Sequence, residues 1–226
     1  MTKPLETIEI ETGKNPTASV IWMHGLGADG NDFVPVVNEL GLGSARATRF
    51  VFPHAPMRAV TINNGNVMRA WYDISFGDLE GKSRSADEQG VRESQAQINA
   101  LIAREEKRGI AAADIVLAGF SQGGAMALHA GLRHPRKLAG IMALSTYLPL
   151  ADSLPQEAAP ANKATPIFMA HGLFDSVVPL VMGAGSMTFL AGLGYSVEWH
   201  QYPMPHSVCA EEIGDIGSWL LKVLKA

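Results

Sequence analysis

A single cysteine, Cys209, occurs in the 226 residues. One thiol closes no internal disulfide, which fits a reducing compartment. Cys209 reads better as a small, half-buried apolar residue than as a nucleophile. Long hydrophobic runs are also missing. The longest mostly apolar stretch, residues 138–150, contains Ser145, Thr146 and Tyr147 and is too short to span a bilayer. The opening residues MTKPLETIEIETGKNPTA contain no apolar core of a secretory signal. The 18 basic and 22 acidic residues give a formal charge of −4 with no block of Lys or Arg. That balance predicts no nucleic-acid partner and no polybasic membrane anchor. Metal-ligand spacings are absent too: there is no Cys pair and no H-x-x-x-H, and His129 and His134 do not share a helix face well. These absences predict a soluble cytoplasmic protein that uses no metal or other cofactor.

What is present is apolar residues, 47% of the chain. The length accommodates one large α/β domain with a substantial core, and no linker, repeat or low-complexity segment divides residues 1–226. Short β-type runs alternate with longer helical patterns. Strands are predicted over 18–23, 49–52, 114–118, 138–144, 166–170 and 195–201. Helices are predicted over 31–40, 87–107, 122–134, 180–191 and 208–224, and residues 60–85 read mainly as a long irregular loop. Alternation of this kind predicts a mostly parallel sheet with helices on both faces. Chemistry in such sheets sits just beyond the carboxyl ends of the strands.

After the strand DIVLA comes Gly119-Phe120-Ser121-Gln122-Gly123. This is G-x-S-x-G between a strand and a helix, the place of the nucleophile elbow in α/β-hydrolases. The chain must reverse within a few residues there, and the flanking glycines let strand and helix approach. Ser121 then stands at a helix N-terminus, where the dipole and the Gln122 N–H favour a developing oxyanion. A serine hydroxyl needs a base, and the order in that fold is Ser, acid, His. Of seven histidines, His206 follows the last strand and opens the final helix, so it is the predicted base. Asp175, just past PIFMA, is the predicted acid. Asp152 is the alternative, otherwise a surface carboxylate. The second oxyanion donor is predicted at Leu26, in the His24-Gly25-Leu26-Gly27 loop after the first strand.

Together HGLGADGNDF, PHAP, MRAWYDI, GFSQGGAMAL, LSTYLPL, HGLFDSVVP and PHSVCAEEI resemble the phospholipase/carboxylesterase family, which includes acyl-protein thioesterases and bacterial carboxylesterases. The resemblance runs from about residue 18 to the C-terminus. It implies hydrolysis of short- to medium-chain acyl esters, sometimes thioesters or lysophospholipids. It also implies a triad of Ser121, Asp175 and His206, with Leu26 and Gln122 as oxyanion donors. G-A-D-G after HGL is closer to the family's bacterial carboxylesterases. Trp71 resembles a residue near the acyl pocket, and Trp71 and Leu148 are the candidate groove walls, the alternative for each being core packing. No large insertion between the strands predicts a lid. Apolar loop residues would support a homodimer. A ligand-binding relative without catalysis is the competing class; the complete triad argues against it.

Overall fold

The computed structural model describes residues 4–43, 46–75 and 87–224. Seven strands form one sheet in the order β1-β3-β2-β6-β7-β8-β9. They are β1 (Thr7–Glu11), β2 (Ala18–Met23), β3 (Thr48–Pro53), β6 (Ile115–Phe120), β7 (Gly140–Leu144), β8 (Ile167–Gly172) and β9 (Val197–Tyr202). All neighbours run parallel except β1, which pairs antiparallel with β3 at the edge. The helices are α1 (Glu88–Lys107), α2 (Gln122–Arg133), the single turn α3 (Leu154–Glu157), α4 (Leu180–Gly192) and α5 (Ala210–Val223).

The central strands are apolar on both sides because both sides are covered. Ile21, Met23, Leu117 and Ile141 join one core cluster with α1 and α2. Their strand neighbours Val20, Trp22, Val116 and Met142 join a second with α5. Successive side chains point to opposite faces, so one strand feeds both cores.

Strand order reverses at β2. Its neighbour on one side is β3 and on the other β6, with Met23 opposite Gly119. A crevice opens outside the carboxyl ends of such a pair. The loop after β2 and the elbow after β6 therefore emerge side by side.

Three elements depart from expectation. The helix expected over 31–40 shrinks to a 3₁₀ turn, Pro35–Glu39. Pro35 has no N–H, so an α-helix starting at Asn31 would lack a first-turn hydrogen bond. Residues 60–85 are not simply a loop. Strands β4 (Met57–Val60) and β5 (Asn66–Arg69) form an antiparallel hairpin, turned through Asn64 and Gly65, both at positive φ. Residues 76–85 of the expected loop lie outside the described residues. The third is β1, whose Ile8 and Ile10 alternate with Thr7, Glu9 and Glu11.

Candidate active site

The elbow is built as the motif demands. Ser121 takes φ 54° and ψ −122°, a strained conformation for a residue with a Cβ. Its N–H donates to the Leu144 carbonyl at 2.8 Å, and its carbonyl accepts from Thr146 Oγ1 at 2.7 Å. These bonds hold the strained peptides from both sides. A Cβ on Gly119 would overlap the Gly123 carbonyl, and one on Gly123 would overlap that of Met23. Only glycine lets α2 cross so close to β2 and β6.

Asp175 and His206 come together after β8 and β9. The two loops are stitched by Leu173 N–H to the Tyr202 carbonyl at 2.8 Å and Phe174 N–H to the Met204 carbonyl at 3.1 Å. Gly172 is the point of closest approach, where a Cβ would overlap the Met204 carbonyl. His206 Nδ1 lies 2.7 Å from Asp175 Oδ2. A carboxylate only accepts, so Nδ1 carries a proton, and Nε2 is the nitrogen that a neutral ring offers as acceptor. Asp175 Oδ1 accepts from the N–H groups of Val177 and Val178 at 2.9 and 2.8 Å. Its carboxylate is fully buried, whereas the imidazole is 15% exposed.

Phe120, the residue before Ser121, packs against the His206 ring with centroids 4.7 Å apart. This contact brings the imidazole to the elbow. Among the described residues the Ser121 hydroxyl makes no hydrogen bond, so the serine–histidine link is not closed in this conformation. Such links are often long in unliganded enzymes and tighten with substrate.

On the opposite side of Ser121 lies the loop after β2. A Cβ built on Gly25 would stand 3.4 Å from the Ser121 Cβ. Neither the Leu26 nor the Gln122 N–H enters a backbone hydrogen bond among the described residues. The Gln122 N–H belongs to the first turn of α2, where no intrahelical acceptor exists.

Both candidate groove walls are buried. Trp71 is 0% exposed and Leu148 6% exposed, and both belong to the core on the α1–α2 side. Trp71 spends its polar groups inside: its indole N–H donates to the His24 carbonyl at 2.9 Å and its backbone N–H to Gln122 Oε1 at 2.7 Å. The exposed apolar side chains near the site are instead Leu173, Phe174 and Val177, which flank Asp175. The apolar pairs Leu173-Phe174 and Val177-Val178 on either side of Asp175-Ser176 were the available signal. Asp152 stands exposed in a 3₁₀ turn, away from His206. Among the described residues no group of three His, Cys, Asp or Glu is placed to hold a metal ion, and no helix is long and apolar enough to cross a membrane.

A mostly parallel sheet flanked by helices, with a strained serine after β6, is the α/β-hydrolase fold. The chain belongs to the phospholipase/carboxylesterase family, whose model matches residues 5–224. It is similar to acyl-protein thioesterase 1 of Cryptococcus neoformans var. neoformans serotype D, at 38% identity over the whole of both chains. It is also similar to acyl-protein thioesterase 1 of Neurospora crassa, at 43% identity over 92% of this chain and 87% of the relative. The crystal structure of Arabidopsis thaliana SOBER1 superposes with a TM-score of 0.84, at 30% identity, covering 92% of this chain and 99% of that one. The protein is thus a serine hydrolase of the α/β-hydrolase type.

Proposed function

We propose that the protein is a cytoplasmic carboxylesterase that hydrolyses short- to medium-chain acyl esters, with Ser121 as nucleophile, His206 as base and Asp175 as the acid that orients it. The observation that carries this reading is the strained elbow at Ser121, with φ 54°. A fold holds such a conformation only where surrounding contacts enforce it, and strain of this kind clusters at reactive groups.

In this mechanism His206 Nε2 takes the Ser121 Oγ proton as Oγ bonds to the ester carbonyl carbon. The carbonyl π electrons move onto oxygen, and the oxyanion lies toward the N–H groups of Leu26 and Gln122. Collapse breaks the bond to the alkoxy oxygen, which leaves with the proton from Nε2. Water, deprotonated by the same nitrogen, then attacks the acyl-enzyme and releases the acid and Ser121. The buried Asp175 carboxylate stabilises the imidazolium in both halves.

A second reading, thioester hydrolysis on the same site, is favoured by the acyl-protein thioesterase names of the fungal relatives at 38% and 43% identity. A panel of p-nitrophenyl esters from acetate to palmitate, beside matched acyl-CoA thioesters, separates the two. Esters of four to eight carbons are expected to be fastest, with Ser121→Ala lower by about 10⁴ or more. Faster turnover of the thioesters supports the second reading, and activity surviving in Ser121→Ala overturns both.

A further inference from the structure

We propose that Trp71 and the Gln122 side chain are positioning residues that fix the spacing between the two oxyanion donors, rather than parts of an acyl groove. The proposal rests on the catalytic reading above and assigns it a device.

The two donors sit on different elements. Leu26 follows β2 and Gln122 opens α2, and the close approach of Gly123 to Met23 and His24 brings the two elements together. A buried chain of hydrogen bonds then ties the loop that carries Leu26 to the Gln122 side chain. Gln122 is 2% exposed. Its Oε1 accepts the Trp71 N–H at 2.7 Å, and its Nε2 donates to the Tyr72 carbonyl at 2.7 Å. The Trp71 indole N–H then donates to the His24 carbonyl at 2.9 Å. The same Trp71 residue is therefore clamped to both sides of the proposed hole. Its carbonyl accepts from Ser94 Oγ, which ties the strut to α1.

The loop end of the chain is also locked. His24 Nε2 accepts the Ala55 N–H at 3.0 Å, so the ring is neutral with its proton on Nδ1, 2.7 Å from the Gly25 carbonyl. Burial lowers the His24 pKa, in keeping with a neutral ring. The Gly25 carbonyl and the Leu26 N–H belong to one planar peptide. Anchoring the carbonyl sets the direction of the donor. The Trp71 bond fixes the preceding peptide, and Gln122 carries the other donor on its own backbone. A ring that serves only packing does not need the indole N–H link to the His24 carbonyl, because a phenyl ring fills most of the same volume.

A hole displaced by about 1 Å costs on the order of 10²-fold in rate. Loss of the strut is thus expected to lower kcat by about 10- to 100-fold, with KM for p-nitrophenyl butyrate within about threefold, because the donors act on the transition state. Trp71→Phe deletes the indole N–H and keeps an aromatic ring. Gln122→Met removes both side-chain bonds and keeps the backbone N–H. Ile102→Val, in the same core away from the site, supplies a modest stability loss for reference. For each variant kcat, KM, Tm, the Ki of butyrate and the Ki of a butyl boronic acid, a tetrahedral mimic, are measured.

The expected result is a fall in kcat matched by weaker boronate binding, with butyrate binding unchanged, in both strut variants and not in Ile102→Val. If one strut variant does not fold, the other carries the comparison. Retention of kcat and boronate affinity within threefold overturns the positioning role, and so does a fall that tracks Tm as in Ile102→Val. Ser121→Ala is run alongside. Full hydrolysis by that variant overturns the catalytic reading itself, whereas an inactive Ser121→Ala beside unaffected strut variants overturns only the strut.

Discussion

Replacing Asp175 by Asn tests how the acid acts, because the loop around it dictates which way the amide must face. Oδ1 accepts two backbone N–H groups, from Val177 and Val178. An Asn that turned its NH₂ toward them would leave two buried donors unpaired, at roughly 1–3 kcal/mol each. The amide oxygen therefore stays on that side, and Nδ2 takes the place of Oδ2, 2.7 Å from His206 Nδ1. Two donors cannot share that contact. The imidazole moves its proton to Nε2 and can no longer take one from Ser121. The same exchange in a serine protease lowers kcat by about 10⁴ through the wrong tautomer. A loss of 10³ to 10⁴ is expected here, roughly 4–5.5 kcal/mol of barrier. The amide is nearly isosteric, so circular dichroism and Tm should stay close to the parent. The assay is hydrolysis of p-nitrophenyl butyrate beside Asp152→Asn, which should remain within a few-fold of the parent. Asp175→Asn within tenfold of the parent would refute the tautomer argument, and an inactive Asp152→Asn would move the acid elsewhere.

Stability should peak near pH 6.5. Burial pushes the Glu212 carboxyl up to about 8 and holds His129 down to about 3 and His134 to about 4. Below 6.5 the unfolded chain takes up protons that the buried histidines refuse, His24 among them, so stability falls with acid. Between 4.5 and 8 the folded state alone keeps the Glu212 proton, so stability falls as pH rises, by roughly 1.4 kcal/mol per unit. The opposing histidines, His24 included, outweigh it below 6.5; toward pH 8 it prevails. Urea midpoints at pH 5, 6.5 and 8 check this, and a midpoint still rising from 6.5 to 8, or an upper limb that survives Glu212→Gln, contradicts it. In Arg49→Ala the fully buried Glu105 carboxylate loses its partner at 2.9 Å and keeps Arg108 at 2.9 Å and Arg104 at 3.5 Å. The expected cost is about 3 kcal/mol, a Tm lower by roughly 6–12 °C with kcat unchanged; a shift under 2 °C would show that the two remaining arginines suffice.

Much of the architecture is legible because the sheet is covered on both faces. ASVIWM, IVLAGF and PIFMA read as near-continuous apolar runs for that reason, and the residues after each run hold the site. Ser121, Asp175 and His206 stand out in the sequence by position relative to strands, and the Asp175–His206 contact follows from β8 and β9 being neighbours. The β4–β5 hairpin was harder. Its strands are four residues each, with two exposed in each, and neither carries a clear apolar alternation. The Asn64-Gly65 pair that reads as loop is also a hairpin signal. Edge strand β1 shows the opposite case: the alternation is present, but in a charged and half-exposed segment.

Trp71 marks where pattern reading stops. A large aromatic in a loop beside a predicted catalytic centre reads equally as a groove wall or as core. Local sequence does not decide between them, since the outcome depends on groups far along the chain: His24, Ser94 and Gln122. The His24 carbonyl accepts the indole N–H, Gln122 and Ser94 pair with the backbone N–H and carbonyl of Trp71, and the side chain has no exposed surface. The apolar surface offered near the acid is then Leu173, Phe174, at 68% exposure, and Val177. These residues project from the loop whose backbone holds Asp175, and their side chains bear little of the core's packing. Substitutions there are expected to leave the core intact, whereas a substitution at Trp71 removes a fully buried ring and its hydrogen bond to the His24 carbonyl.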